Sequence, residues 1–579
     1  MEKIKASDYI VEFLIKKGIT DVFGYPGGMV THLMESLDKY HSQIRTHLNY
    51  HEQACAMAAC GWAEVKKKPG VAYATSGPGA TNLLTGIACA YFDSIPTIFI
   101  TGQVNTYEQK NYPGGRQKGF QETDIVSMAK PITKMAKMIT QIEELPEALE
   151  NAYRVAMEGR QGPVLLDIPM NLSREYLSKD LFWKTESKPN PISSTTNVKR
   201  IAKVILKALQ KSKKPVILAG HGIDLSNTQQ IFSHIVNILK IPVVSSMIAV
   251  DVLPSDSAFY YGMIGAYGVR WANAILNHSD CILTLGSRLD CRQTGVNTNL
   301  FAPHAELLRV DIDKGEFDHV IRPTEQQFCC DLRDLLPALE EAALPCTWDY
   351  SKWNTICHSV YEELKQIDSK EEGNQIVTKL SQLLPEDCIV STDVGQNQVW
   401  VAQSFIVKKQ QRILYCGGHG AMGYSLPSAI GAAIASGKKT IAFTGDGGLQ
   451  MNLQELEFLV REQLPIKIVV LNNRALGMIH HFQEMYFQSN YVQTDDKKGY
   501  VVPSFVNIAK SFGMQSVLYQ SPEQIRPYFE DNQPTLIEVM LPQVTHVFPK
   551  LGMNKPTDDQ EPPLSNELSL RVADLFKKV

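Results

Sequence analysis

Hydrophobic positions along the chain fall into short solid runs, separated by longer stretches in which they recur every three or four residues. In the first 180 residues the runs at 21–23, 70–75, 97–101 and 163–168 predict strands, and the stretches 53–65 and 80–92 predict helices. Alternation of this kind implies a parallel sheet covered by helices on both faces. The rhythm then repeats twice. Strands are predicted at 215–219, 242–245, 281–285 and 307–311, and again at 388–392, 440–444, 466–471 and 535–539. The segment 187–197 (SKPNPISSTTN) has the Ser, Thr, Asn and Pro content of a linker, and 343–350 (ALPCTWDY) marks a second break. From Leu541 onward the prolines predict an extended arm ending in a short helix. The expected fold is α/β, with three doubly wound parallel-sheet domains at 1–185, 195–345 and 350–545, and a C-terminal arm at 546–579.

Length agrees with this division, because 579 residues exceed the ~250–300 at which a single core stops growing. A composition of 44% hydrophobic and 20% charged residues is that of a globular protein, and a net charge of -4 gives no nucleic-acid footprint. The basic clusters at 66–68 and 408–409 are short and read as solvated faces. No run approaches the ~18 apolar residues of a membrane helix, and no apolar signal block follows Met1. The eleven cysteines form no Cys-x-x-Cys pair and read as reduced thiols, so a cytoplasmic location is expected.

The strongest chemical signal lies in the third domain. The predicted strand 440–444 ends in Gly445-Asp446-Gly447-Gly448, and the strand 466–471 ends in Asn472-Asn473. Glycines at the carboxyl end of a strand let backbone N–H groups approach phosphate oxygens, and the helix that follows presents its positive end. Asp446 and Asn473, at the tips of what would be neighbouring strands, supply oxygen ligands suited to Mg²⁺. Gly-Asp-Gly alone is an ordinary turn. Coupled to Asn-Asn across a helix and a strand, it resembles the thiamine-diphosphate motif.

Such a cofactor needs a carboxyl group beside its aminopyrimidine, to make the amino group a base for the thiazolium C2 proton. Glu52, in Tyr50-His51-Glu52-Gln53, is the candidate. Taken alone it would be a helix-start residue favoured by the macrodipole. It lies between Gly24-Tyr25-Pro26-Gly27-Gly28 and Thr75-Ser76-Gly77-Pro78-Gly79-Ala80-Thr81-Asn82, both at strand-to-helix junctions. In order, these segments resemble the pyrimidine-binding domain of the acetolactate synthase family.

That resemblance spans about residues 5 to 545 and implies a set of roles. Glu52, Gln121 and Gly28 would be catalytic, with Phe120-Gln121-Glu122-Thr123 matching an active-site loop contributed by the partner subunit, in which Gln121 would face the thiazolium side. Pro26, Gly27, Thr75, Asn82, Gly395, Gln396, Asn397, Gly420, Met422, Gly445, Gly447, Gly448, Gly477 and Met478 would contact thiamine diphosphate, Met422 by propping its bent conformation. The carbonyl of Ala475 would join Asp446 and Asn473 on Mg²⁺. Arg160, Gly265, Gly286, Arg288, Asp290, Arg292 and Asp311 match stretches that contact FAD, a flavin that holds the architecture in this family without turning over in the main reaction. The implied activity is decarboxylation of a 2-keto acid, pyruvate, with transfer of the two-carbon unit to a carbonyl acceptor. The implied assembly is a homodimer or homotetramer with glutamate and diphosphate site from different subunits, and a regulatory subunit is possible in the family.

Three departures bear on the acceptor. Phe482 stands where biosynthetic members carry tryptophan, Met170 replaces a lysine after Asp-Ile-Pro, and the family's Asp-Asp-Arg reads Asp290-Cys291-Arg292. Phe120, Met170, Arg292 and Phe482 are the expected substrate-side residues, and a guanidinium at 292 suits a carboxylate. Pyruvate as both donor and acceptor is the favoured reading. A carboligase acting on a nucleotide-linked keto sugar, a pyruvate-oxidase-like flavoenzyme and a non-enzymatic cofactor-binding scaffold are the alternatives.

Overall fold

The computed structural model describes residues 3–178, 195–367, 371–552 and 554–578. Most of the linker read at 187–197 lies outside the described residues, and its last three open the helix Thr195–Lys211.

Three six-stranded sheets form the frame, all with parallel pairing. The first is ordered Arg45–Leu48, Asp21–Gly24, Gly70–Ala74, Thr97–Gln103, Pro163–Pro169, Met135–Met138. The third is ordered Arg412–Leu414, Ile389–Thr392, Thr440–Gly445, Ile466–Asn472, Thr535–Met540, Gln515–Leu518. With the strands of each sheet numbered along the chain, both read 2-1-3-4-6-5. The middle sheet differs: Tyr260–Met263, Val243–Ser245, Pro215–Ala219, Cys281–Leu285, Glu306–Asp311, Gln326–Cys329 reads 3-2-1-4-5-6. That is the doubly wound dinucleotide-binding order, whose crevice opens where the winding reverses, between its first and fourth strands.

The first and third units share one continuous core. Ala58, Ala59 and Trp62 on one side are buried in the same apolar cluster as Leu426, Ala429 and Ile430 on the other. The helices Glu52–Lys66 and Ser425–Ser436 cross there with the most extensive packing of any two elements among the described residues. The crossing is set by glycine. A Cβ on Gly61 would lie 2.0 Å from the Ser428 carbonyl oxygen, and one on Gly431 1.8 Å from that of Ala58. Backbone meets backbone, and no side chain fits between.

The middle unit joins the other two through a buried charge node. Asp224 accepts from Lys67 Nζ at 2.7 Å and pairs with Arg412, whose Nε donates to Asp251 at 2.7 Å. Lys67 belongs to the first unit, Asp224 and Asp251 to the middle and Arg412 to the third. Glu64 and His221 lie against the same node, each within reach of Asp224.

The third unit was expected to begin at 350, but Trp353, Ile356, Cys357, Val360 and Leu364 of the helix Ser351–Leu364 are buried in the middle core. Leu568, Val572 and Phe576 of the final helix, Asn566–Phe576, join that core as well. The arm thus turns back onto the middle unit, where Phe576 stacks on His278 at 4.0 Å and Arg270 donates to the Pro562 carbonyl at 2.6 Å. No helix among the described residues is long and apolar enough to cross a membrane.

Candidate active site

The two elements read from the sequence as a diphosphate site end side by side. Thr440–Gly445 pairs in parallel with Ile466–Asn472, with Gly445 opposite Leu471. This brings the helix that starts at Asp446 next to the turn that carries Asn473. Both side chains are buried. Asp446 accepts from Gly447 N at 2.6 Å, from Ala475 N at 3.3 Å and from the Tyr500 hydroxyl at 3.0 Å. Among the described residues no cationic side chain pairs with it, and burial pushes its carboxyl up to about 6 against those hydrogen bonds. A buried carboxylate in that condition is stabilised by a metal ion. Asn473 donates to Thr545 Oγ1 at 2.8 Å and to Gln396 Oε1 at 3.4 Å. Its Oδ1 is approached only distantly by Ala475 N, at 3.3 Å. The donor set fits Mg²⁺ with two further oxygens from a diphosphate.

The surrounding loops converge on the same place. Asn397 accepts from Asp393 N at 3.2 Å, and its Nδ2 lies 3.3 Å from a Cβ built on Gly395 and 3.6 Å from one on Gly445. Asp393 is buried and accepts from Gly423 N at 2.8 Å, which ties down the loop carrying Gly420 and Met422. The Met422 Cε lies 3.0 Å from a Cβ built on Gly447. Gly477 opens the helix Gly477–Tyr486, where a Cβ would meet Gln396 Oε1 at 2.0 Å, and Met478 packs half-buried against a further apolar cluster that holds Val390, Trp400 and Phe443.

Glu52 is the first residue of the helix Glu52–Lys66 and is buried. Asn82 Nδ2 donates to its Oε2 at 2.9 Å, and Oε1 lies 3.1 Å from a Cβ built on Gly79. The loop of Thr75–Asn82 thus closes on the carboxylate from one side. Thr75 Oγ1 accepts from Met29 N at 3.2 Å and lies against Gly27. Pro26 and Gly28 are exposed, with open space beside Gly28.

Gln121 packs on Gly77, whose Cβ would stand 2.8 Å from that of Gln121. Its backbone is left-handed, with φ 64°, a strained state held by its neighbours. Glu122 provides the hold, accepting from the backbone of Lys110 at 2.7 Å, Lys118 at 2.6 Å and Gly119 at 3.2 Å. A second brace is the buried Asp167. It accepts from Gln103 Nε2 at 2.9 Å, and the same amide donates to the Thr123 carbonyl at 2.8 Å. Phe120 beside it is 80% exposed. Met170 is half-buried at the start of Met170–Ser173. Phe482 projects from Gly477–Tyr486 with its ring 4.7 Å from that of Tyr486. Arg292 is exposed, 5.9 Å above the Tyr267 ring.

A large cleft opens at the reversal point of the middle sheet and runs towards the first and third units. Arg160, Gly286, Arg288, Asp290, Arg292 and Asp311 all line it. Gly265 does not line the cleft; it backs the segment that does, its N donating to Asn273 Oδ1 at 2.8 Å. Gly222 and Gly286 meet at 2.6 Å from a built Cβ, so backbone forms the floor. Arg288 is fixed on Asp290 at 2.9 Å, and Arg160 pairs with Asp313 at 3.1 Å and with Glu316. The cleft continues to the third unit through Asp93, which accepts from Gly418 N at 2.7 Å and Gly417 N at 3.1 Å. Burial pushes the Asp93 carboxyl up to about 7.

Tyr500, Thr545, Asp93 and Gln103 were not singled out in the sequence. Each acts across a long separation, such as 54 residues between Tyr500 and Asp446, and sits in no motif. Only the fold brings it to the site.

The chain matches three domain models in succession: the thiamine pyrophosphate enzyme N-terminal TPP binding domain at residues 4–128, the central domain at 202–339 and the C-terminal TPP binding domain at 393–539. It is 33% identical over 556 residues to the acetolactate synthase isozyme 2 large subunit of Escherichia coli, covering 94% of this chain and 97% of that one. The acetolactate synthase large subunit of Lactococcus lactis is 33% identical, with coverage of 96% and 97%. The probable acetolactate synthase large subunit of Methanocaldococcus jannaschii is 34% identical, with coverage of 93% and 92%. Neither the oxidase nor the keto-sugar alternative gains support from these relatives. With its three sheets, its paired strand-end motifs and this full-length likeness, the chain belongs to the acetolactate synthase family of thiamine-pyrophosphate-dependent enzymes.

Proposed function

We propose that the protein decarboxylates pyruvate and joins the two-carbon fragment to a second 2-keto acid. The observation that carries this reading is the pairing of Asp446 and Asn473 at the ends of adjacent strands, with no cation among the described residues beside the buried carboxylate. Asp446, Asn473 and the Ala475 carbonyl would hold Mg²⁺. The Gly445–Gly448 backbone, Gly395, Gln396, Asn397, Gly420, Gly477 and Met478 would take the diphosphate, with Met422 supporting the rings. Bound thiamine diphosphate supplies an acidic carbon that adds to a keto carbonyl and accommodates the charge left when CO₂ departs.

The residues do the rest. Glu52, oriented by Asn82 at 2.9 Å, would hydrogen-bond the pyrimidine ring of the bound cofactor and pass a proton to and from it. Gln121, in its braced loop against Gly77, would face the reacting centre, and Phe120 and Gly28 would meet the substrate there. Arg292 receives the acceptor carboxylate through its fork of N–H donors. Met170 and Phe482 make the acceptor side apolar, which favours a small second keto acid such as pyruvate. FAD fits the cleft lined by Arg160, Gly286, Arg288, Asp290 and Asp311, in a structural role. The active form is at least a homodimer in the cytoplasm, open to a regulatory subunit, and its eleven free cysteines stay reduced there.

The test is Glu52→Gln. The variant is expected to bind thiamine diphosphate with near-normal affinity and to lose ~10²–10⁴-fold in turnover, the usual contribution of a positioned acid–base group. Turnover at the normal rate would remove Glu52 from the chemistry.

A further inference from the structure

Glu52 is presented by a turn, residues 49–51, between the strand Arg45–Leu48 and its own helix. That turn is held by the third unit. Glu455, at the start of the helix Glu455–Glu462, is completely buried, and its carboxylate accepts from Tyr50 N at 2.8 Å and Asn49 Nδ2 at 2.9 Å. Arg461, near the other end of the same helix, donates to the Leu48 carbonyl at 2.8 Å and to the Tyr50 hydroxyl at 3.1 Å. Its guanidinium also lies 5.6 Å from the Tyr50 ring centroid. One helix thus grips both flanks of the turn, by a buried carboxyl acceptor that burial pushes up to about 7 and by a guanidinium donor.

From this we propose that Glu455, assisted by Arg461, is a positioning residue for Glu52, fixing the turn that sets the direction of its carboxylate. The inference rests on the proposed role of Glu52 as the carboxyl group that hydrogen-bonds the cofactor's pyrimidine ring. It goes further in assigning the geometry of that group to a residue 405 positions along the chain from Tyr50. Only residues 452–454 separate the clamp helix from the helix Asp446–Met451 that carries the metal-site carboxylate. The same short stretch of chain therefore builds part of the diphosphate site and orients the first unit's glutamate.

A second observation supplies a sharp test. Among the described residues no hydrogen-bond partner reaches the buried Asn49 Oδ1, so there the Asn49 amide is held by its donor end. Asn49→Asp would place a second carboxylate against Glu455, and the turn should be pushed off the clamp. Adding Glu455→Gln to that variant exchanges acid and amide. The new amide N–H at position 455 can donate to the new carboxylate at position 49, while the amide oxygen still accepts from Tyr50 N. Three purified full-length proteins would be compared with wild type: Asn49→Asp, Asn49→Asp/Glu455→Gln, and Glu52→Gln. The readouts are kcat and KM for pyruvate, and amide deuterium exchange over residues 45–56 without cofactor or substrate.

Asn49→Asp is expected to lower kcat at least tenfold, with KM changed less than threefold, and to speed exchange at Tyr50. The double variant should recover most of both effects. If Asn49→Asp is too unstable to purify, a soluble double variant with slow Tyr50 exchange and recovered kcat supports the proposal, and one without them overturns it. Wild-type kcat and exchange in Asn49→Asp would also overturn it. Full turnover by Glu52→Gln would instead remove the reading on which the proposal rests, whatever the exchange data show at Tyr50.

Discussion

Replacing Gly431 by alanine sets two physical effects against each other. Gly431 lies inside the helix Ser425–Ser436, and there alanine is the better helix former by about 0.5–1 kcal/mol. If the helix were free, the substitution would stabilise the protein. At this crossing the new methyl would stand 1.8 Å from the Ala58 carbonyl oxygen and 2.8 Å from Trp62 N. Both are backbone atoms of a helix packed in the shared core, so no side chain can turn aside. Ordinary contact needs roughly 3.5 Å, which forces the helices roughly 1.5 Å apart along a line that also carries Gly61 against Ser428. Overpacking of this kind costs about 1–3 kcal/mol, and the separation loosens neighbours on both sides. Net destabilisation of about 2 kcal/mol is expected, equivalent to a fall of about 4–8 °C in Tm for a unit of this size. Because Glu52 begins the displaced helix, kcat should fall as well. Calorimetry of wild type and Gly431→Ala, with steady-state kinetics on each, reads both effects. An unchanged or higher Tm would refute the close-crossing argument, since only the helix-propensity gain would then be visible.

Two further outcomes follow from buried groups. Burial pushes the Glu64 carboxyl up to about 8, against the pull of the Lys67 and Arg412 charges. A folded-state pKa above the unfolded value favours folding fully only below the ordinary carboxylate range, and that contribution is lost as pH rises through the folded value. Glu64→Gln should therefore gain in stability relative to wild type between about pH 5 and pH 8, by about 3 kcal/mol at neutrality; denaturant titrations showing an offset independent of pH would contradict this. Tyr500→Phe deletes the hydroxyl that donates to Asp446 at 3.0 Å, and should weaken Mg²⁺ binding in the presence of thiamine diphosphate by ~10–100-fold. Titration calorimetry with the wild-type affinity would show that bond to be incidental.

How much was legible in the sequence depended on burial. In each of the three six-stranded sheets the four inner strands were readable and the two edge strands were not. Inner strands such as Pro215–Ala219 (PVILA) and Ile466–Asn472 (IKIVVLN) are covered on both faces and read as solid apolar runs. Edge strands such as Arg45–Leu48 (RTHL), Gln326–Cys329 (QQFC) and Gln515–Leu518 (QSVL) are short, polar and half-exposed, and carry no such run. The helix expected at 80–92 is two, Pro78–Asn82 and Leu84–Asp93, joined through Leu83, which keeps helical dihedrals, and Asn82 at the end of the first reaches Glu52.

The candidate site divides in the same way. Glycine-rich turns and the residues inside them, among them Asp446, Asn473 and Glu52, could be found because strand-end chemistry leaves a local pattern. Glu455, Tyr500 and Gln103 could not, because each is defined by a partner tens to hundreds of residues away. The position of Ser351–Leu364 was missed for a related reason: an amphipathic helix shows which face it buries but not against which sheet.

The central claim is the conversion itself, and product identification by mass spectrometry tests it most directly. Purified protein would be given thiamine diphosphate, Mg²⁺, FAD and pyruvate labelled in its methyl carbon, with and without other carbonyl acceptors. Doubly labelled acetolactate from pyruvate alone, formed at an enzymatic rate with one CO₂ released per product, is the predicted result. Release of CO₂ without that product, or carboligation only when a different acceptor is supplied, would contradict it.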